Sequence, residues 1–329
     1  MKIGVSFDGF SPFMDALAFA HEAVDASATS LWFADHLGFR EPFLSCLAFA
    51  LATKEARLVP TAVSPYLRHP MPTAMQIATL AEAAPGRAEI ALGVGNPLFL
   101  AESGESMEKP VRVMREFVEA LRALWSGEPV HMQGMRFKLA GARMMFKPSA
   151  PIPIYLAPIR EQMLKLAGKI ADGVVLSAGL TTEFTRQSLA LVSVGAEEAG
   201  RPHSSLRTAG YISFLASPDR SDAIARVKRQ LSFLLRNKFL RENVASSGIP
   251  VDQEAIIAAM SKRDFDTAQR LIPDEAAEAF AVAGTVRECC DRLQEYANAG
   301  LRELVLLMAG TLDDQRYGLK VMRELTGSR

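Results

Sequence analysis

A carboxylate and an imidazole stand side by side where the run SLWFADHLG, residues 30–38, turns from apolar to polar. Asp35 and His36 in that place could move protons near neutral pH, because histidine both donates and accepts there. The bland alternative is that Asp35 only caps or braces a loop. Other apolar runs end in the same way. KIGVSFD carries Ser6 and Asp8, RLVPTAVSP carries Ser64, and AEIALGVGN ends on Gly93, Gly95 and Asn96.

Two further run ends could hold an anion. PIYLAP leads through Pro158 to Arg160 and Glu161, which open a helix whose first-turn amides have no partner within the helix. Such amides bind phosphate at the positive end of the helix dipole. GVVLSAG ends on Ser177, Ala178 and Gly179, small enough to let backbone come close to a charged group. No H-E-x-x-H motif or comparable spacing of histidines and carboxylates points to a metal, so none is expected.

Residues at run ends can act together only if the runs lie side by side. Eight β-rich runs recur, at 2–8, 30–36, 57–65, 88–96, 153–158, 173–179, 208–217 and 303–310. Helical periodicity fills the intervals at 13–26, 41–55, 72–84, 110–126, 161–171, 181–200, 219–236 and 286–299. The first six runs are nearly continuous in apolar residues, as parallel strands covered on both faces require. This alternation predicts an α/β fold, a (β/α)8 TIM barrel, in which the C-terminal strand ends carry the chemistry. The rival, a doubly wound open sheet, lacks a G-x-G-x-x-G after the first strand. Residues 128–150 read as a hairpin and residues 237–279 as a helical insertion before the last strand, all within one domain spanning 1–329.

Composition narrows the partners. Lys plus Arg and Asp plus Glu number 37 each, so no global field draws the chain to nucleic acid or to an anionic membrane. A small-molecule substrate is the expected partner. The most apolar run, 43–52, is half of what a bilayer crossing needs. Three cysteines (Cys46, Cys289 and Cys290) without C-x-x-C spacing fit a reducing, cytoplasmic setting.

Three blocks together carry a family likeness: LWFADHL, YLRHPMPTAMQIATLAEAAPGRAEIALGVGN and IYLAPIREQMLKLAGKIADGVVLSAG. With them the chain resembles the bacterial-luciferase-like superfamily of flavin- and F420-dependent oxidoreductases. KPVRVMREFVEAL, GIPVD and RDFDTAQRLIPDEAAEAFAVAGT bring it nearest in look to the methylenetetrahydromethanopterin reductases. The resemblance implies a bound F420 or FMN and hydride transfer to or from a small organic substrate. It also leaves open an FMN-dependent monooxygenase or a non-catalytic flavin binder, and implies a homo-oligomer, dimer or tetramer.

Carried over by position, it places the phosphate side of the cofactor at Pro158, Ile159, Arg160, Glu161 and Ser177–Gly179. It places the ring side at His36, Ala62, Val63, Ser64, Gly95 and Asn96, with a non-proline cis peptide expected at Ala62–Val63. Two positions depart from the pattern. Ser6 and Asn96 stand where reductases of this type tend to carry acids, and neither can act as a carboxylic acid. Proton chemistry is then expected from Asp8, Asp35 and His36, with Asn96 orienting ring or substrate.

Overall fold

The computed structural model describes residues 1–327, His203 by its backbone alone. Eight parallel strands form the expected barrel: β1 (Lys2–Phe7), β2 (Ser30–Ala34), β3 (Arg57–Thr61), β4 (Ile90–Leu92), β5 (Ile154–Leu156), β6 (Gly173–Leu176), β7 (Arg207–Ala216) and β8 (Glu303–Met308). Hydrogen bonding runs in the order β3-β2-β1-β8-β7-β6-β5-β4. The ring closes where Leu58 bridges Ala88 and Val63 bridges Leu92. Most strands are shorter than their apolar runs. The residues past each ladder, such as Asp35–His36 and Ser177–Gly179, have left the sheet and form the rim.

Side chains alternate across each strand, one set inward and one outward. The inward set of the barrel's middle is Trp32, Val59, Ala91, Tyr155, Val175, Ala209 and Val305, none more than 1% exposed. Trp32 meets the Tyr155 ring edge-on at 5.4 Å and the Tyr211 ring at 5.9 Å. The barrel is therefore filled by side chains rather than hollow.

Below that layer the N-terminal strand ends are tied by charge. Arg57 donates to Glu89 at 2.7 Å and to both oxygens of Glu303 at 2.7 Å. Arg207 also donates to Glu89, and Ser30 to Glu303. Glu89 and Glu303 are buried, at 2% and 4% exposure, so each carboxylate depends on its guanidinium partner. Burial works against the Arg57 charge, but Glu303 and Glu89 more than restore it and push Arg57 further up.

Helices cover the outside: α1 (Phe13–Asp25), α2 (Pro42–Ala52), α3 (Pro70–Ala83), α4 (Pro97–Glu102), α5 (Pro110–Trp125), α6 (Glu161–Ile170), α7 (Thr182–Glu198) and α8 (Arg220–Leu235). Proline opens α2, α3, α4 and α5, where its missing N–H costs nothing. The hairpin pairs Val130–Gln133 with Lys138–Ala142. The helical insertion comprises α9 (Arg241–Ser246), α10 (Gln253–Ser261), α11 (Phe265–Arg270) and α12 (Asp274–Phe280). Its apolar faces pack on α8 through Ile224, Val227, Leu231, Ile256 and Phe280. A short strand, Val282–Gly284, then pairs with the last residues of β7. From there α13 (Val286–Asn298), β8 and α14 (Leu312–Thr326) complete the ring.

The cysteines are free thiols, and burial pushes Cys289 up to about 12. Among the described residues no helix is long and apolar enough to cross a membrane.

Candidate active site

The centre of the rim is built from small residues. A Cβ added to Gly93, past β4, would lie 2.8 Å from the Ala62 Cβ and 3.6 Å from the Ala157 Cβ. Three adjacent strand exits therefore converge so closely that position 93 has no room for a side chain. The cis peptide lies at Thr61–Ala62 and not at Ala62–Val63. Pairing on two sides accounts for its place. Thr61 is still registered with Ala34 of β2, whereas Val63 already bonds β4, donating to Ala91 and accepting from Gly93. Val63 is fully buried with both backbone groups engaged, so of the expected pair only Ala62 faces the opening.

His36 continues the inward row begun by Trp32 and Ala34. Its Nδ1 lies 2.8 Å from the Asp8 carbonyl oxygen, which can only accept. Nδ1 therefore donates to it, which leaves Nε2 as the ring nitrogen not engaged by this contact. Phe10 stacks on the imidazole at 5.2 Å, and Phe99 meets it edge-on at 6.3 Å. Asp8 also turns one carboxylate oxygen to the Phe10 N–H at 2.9 Å.

Asp35 points the other way. Its two oxygens accept from Arg68 at 2.9 and 3.0 Å, and Arg68 also pairs with Glu41 at 3.1 Å. Against the expectation of a proton carrier, the geometry makes Asp35 a brace between the exit of β2 and the segment after β3. Asn96 is likewise occupied. Its side-chain oxygen caps α4 by accepting from the Leu98 N–H at 3.0 Å. Ser64 is buried and donates to the Val94 carbonyl at 3.1 Å, locking β3 to β4 under Gly95, whose φ of +90° suits glycine. His69 accepts from the Met71 N–H and caps α3. These four polar groups shape the rim.

The far side is assembled across the barrel. Pro158 is buried, Ile159 partly so, and Arg160 leads into α6 without a side-chain cap. The Arg160 guanidinium lies over the Phe239 ring and reaches Glu242 at 3.5 Å, while Glu161 turns along its own helix to Lys165. What this corner offers a ligand is backbone: the first-turn amides of α6 beside the Ser177–Ala178–Gly179 turn. That turn is held from the insertion. The Asn243 carboxamide donates to the Gly179 carbonyl at 2.7 Å and accepts from the Thr181 N–H at 3.2 Å.

Sequence reasoning passed over a set of hydroxyls. The side-chain oxygens of Thr61, Tyr211 and Ser213 are buried and close no hydrogen bond of ordinary geometry. Burial pushes the Tyr211 phenol up, outweighing the nearby Thr61 and Ser6 hydroxyls, so it stays a neutral donor. Their signal was the alternation Ala209, Tyr211, Ser213 within an otherwise apolar run. A small-residue floor, buried hydroxyls lacking partners and an amide-rich corner together suit a flat ring carrying an anionic tail. The groups expected for F420 or FMN therefore fit these residues.

Several known proteins resemble this chain over most of its length. The 5,10-methylenetetrahydromethanopterin reductase of Archaeoglobus fulgidus is 28% identical over 309 residues, covering 93% of this chain and 92% of that protein. An F420-dependent glucose-6-phosphate dehydrogenase from Beutenbergia cavernae is 28% identical, covering 91% and 88%. Among solved structures, the coenzyme F420 dependent tetrahydromethanopterin reductase from Methanopyrus kandleri superposes with a TM-score of 0.89 at 26% identity, over 99% of this chain and 98% of that one. The profile described as luciferase-like monooxygenase matches residues 2–303, nearly the whole chain, and so this oxidoreductase belongs to the luciferase-like monooxygenase family.

Proposed function

We propose that the protein binds coenzyme F420 across the strand ends and transfers hydride between it and a small organic substrate. The observation that carries this reading is the close convergence of the small residues Ala62, Gly93 and Ala157 at the strand exits, on the same rim as a histidine held by its Nδ1. When bound, the deazaflavin supplies a carbon that gives or receives hydride. Ala62, Gly93 and Ala157 support its ring, with the Thr61 and Tyr211 hydroxyls beneath. The α6 amides and the Ser177–Gly179 backbone hold its phosphate side. His36 takes or returns the accompanying proton at Nε2, because Nδ1 is committed to the Asp8 carbonyl. The Methanopyrus kandleri reductase and the Beutenbergia cavernae dehydrogenase, both F420-dependent, favour F420 over FMN. The family's monooxygenase description favours a second reading, in which the same cradle holds FMN.

Fluorescence titration of the purified protein with F420 and FMN separately tests the assignment. Tighter binding of F420 supports it. Preference for FMN, with oxygen uptake on reduction, would transfer the site to the monooxygenase reading, and binding of neither would remove the cofactor from it.

A further inference from the structure

Three hydroxyls gather inside the bore, one layer above the filled middle of the barrel. Ser6 lies on the inward face of β1, in register with Trp32 of β2. Thr61 ends β3 in phase with Val59, and Tyr211 follows Ala209 on β7 and meets the Trp32 ring edge-on at 5.9 Å. The phenol of Tyr211 comes beside the hydroxyls of Thr61 and Ser6. The filled layer is no more than 1% exposed, whereas Ser6 and Tyr211 are half-buried. The bore therefore meets solvent at this level.

Uneven burial gives the set a direction. The Thr61 and Tyr211 oxygens are buried and close no hydrogen bond of ordinary geometry, while Ser6 stands at the surface of the bore. Each hydroxyl carries one hydrogen, and a buried hydrogen without an acceptor is costly. If Ser6 donated to Tyr211 and Tyr211 to Thr61, the Thr61 hydrogen would find no acceptor. In the opposite order Thr61 donates to Tyr211 and Tyr211 to Ser6. Only the Ser6 hydrogen then remains, and it can leave the wall. A hydroxyl that accepts also becomes a stronger donor.

Carboxylates are kept out of the set. Asp8 accepts from the Phe10 N–H, Asp35 from Arg68, and Glu303 pairs with Arg57 below the filled layer. What the set presents to the bore is a donor, and its complement is an acceptor oxygen. We propose that Tyr211 is a positioning residue that orients the Ser6 hydroxyl to donate to a carbonyl oxygen of the ring bound above this layer. The identity of that ring rests on the F420 reading, while the hydroxyl chain stands on the protein's own residues.

Ser6→Ala, Tyr211→Phe and the double variant test it, with circular dichroism to check the fold. Tyr211→Phe keeps the ring that packs on Trp32. In urea unfolding of the cofactor-free proteins both single variants should lower the midpoint, and the double variant should match Tyr211→Phe, because the two changes break the same bond. Additive losses would overturn the chain whether or not F420 binds. In F420 fluorescence titration Ser6→Ala should weaken binding about tenfold, the scale of one hydrogen bond, and Tyr211→Phe about threefold through lost orientation. The double variant should bind like Ser6→Ala, and the infrared carbonyl stretch of bound F420 should rise in all three. Parental affinity and an unshifted carbonyl in Ser6→Ala would overturn the donor role. A parent protein that binds no F420 but shows the coupled unfolding would sink the cofactor reading and support the chain.

Discussion

The Nδ1 of His36 sits 2.8 Å from the carbonyl oxygen of Asp8, and this one contact decides which nitrogen can do chemistry. The carbonyl accepts and never donates, so the proton stays on Nδ1 and the reactive edge is Nε2. The Asp8 carboxylate meanwhile serves the Phe10 amide, so β1 contributes to His36 through its main chain.

His36→Ala should lower turnover about 10²-fold, the usual scale for losing a positioned general acid or base. Steady-state kinetics against a cofactor titration check this. Loss of cofactor affinity with turnover per bound complex intact would make His36 a binding residue instead.

Asp35→Ala should cost stability, because it leaves Arg68, whose side chain is only 19% exposed, with Glu41 as its one remaining carboxylate partner. About 2 kcal/mol is expected, between the limits for exposed and buried pairs. Urea unfolding measures it. A variant of native stability with abolished turnover would restore Asp35 to the catalytic set.

Glu89→Ala leaves Arg57 and Arg207 facing each other across the barrel floor without their shared carboxylate. Breaking such a buried network costs about 3–5 kcal/mol. Turnover of the molecules that remain folded should match the parent, since this charged layer and the rim lie at opposite strand ends. Urea unfolding and active-site titration separate the two effects.

Glu116 predicts a pH dependence. Burial alone would raise its carboxyl, but the Met135 and Arg136 amides and the Arg112 guanidinium hold it below its ordinary value of 4.5. A depressed native value means the stabilisation is complete above that ordinary value. It is lost as pH falls through the lowered one. Glu116→Gln should flatten the acid limb of the stability profile, measured by urea unfolding at a series of pH values, and an unaltered limb would assign the acid loss elsewhere. The same residue steadies the turn from which Arg136 reaches the Pro65 and Tyr66 carbonyls, so it supports the β3 exit.

The barrel was legible because its strands are local signals. LWF, GVVL and LVLLM are apolar throughout, and only parallel strands covered on both faces need that. His36 was legible for a related reason, standing in phase with Trp32. The partner of Asp35 was not, since Arg68 lies 33 positions away and only the closed ring brings them together. The cis bond was misplaced by one residue because it depends on registers set by two neighbouring strands. Asn96 could have been read as a cap from the proline that follows it, but α4 is six residues long and too short for periodicity to announce. Tyr211 stayed hidden inside an apolar run.

Asn243 reaches the rim turn at a carbonyl and an amide, never at a side chain. The insertion thus grips a shape and is indifferent to the letters that make it. Position 177 can vary while the turn keeps its form, whereas Ala178 is buried and position 243 is held to a side chain that offers a donor and an acceptor at once. Changes at position 177 can therefore alter this end of the molecule without disturbing the grip that holds the turn.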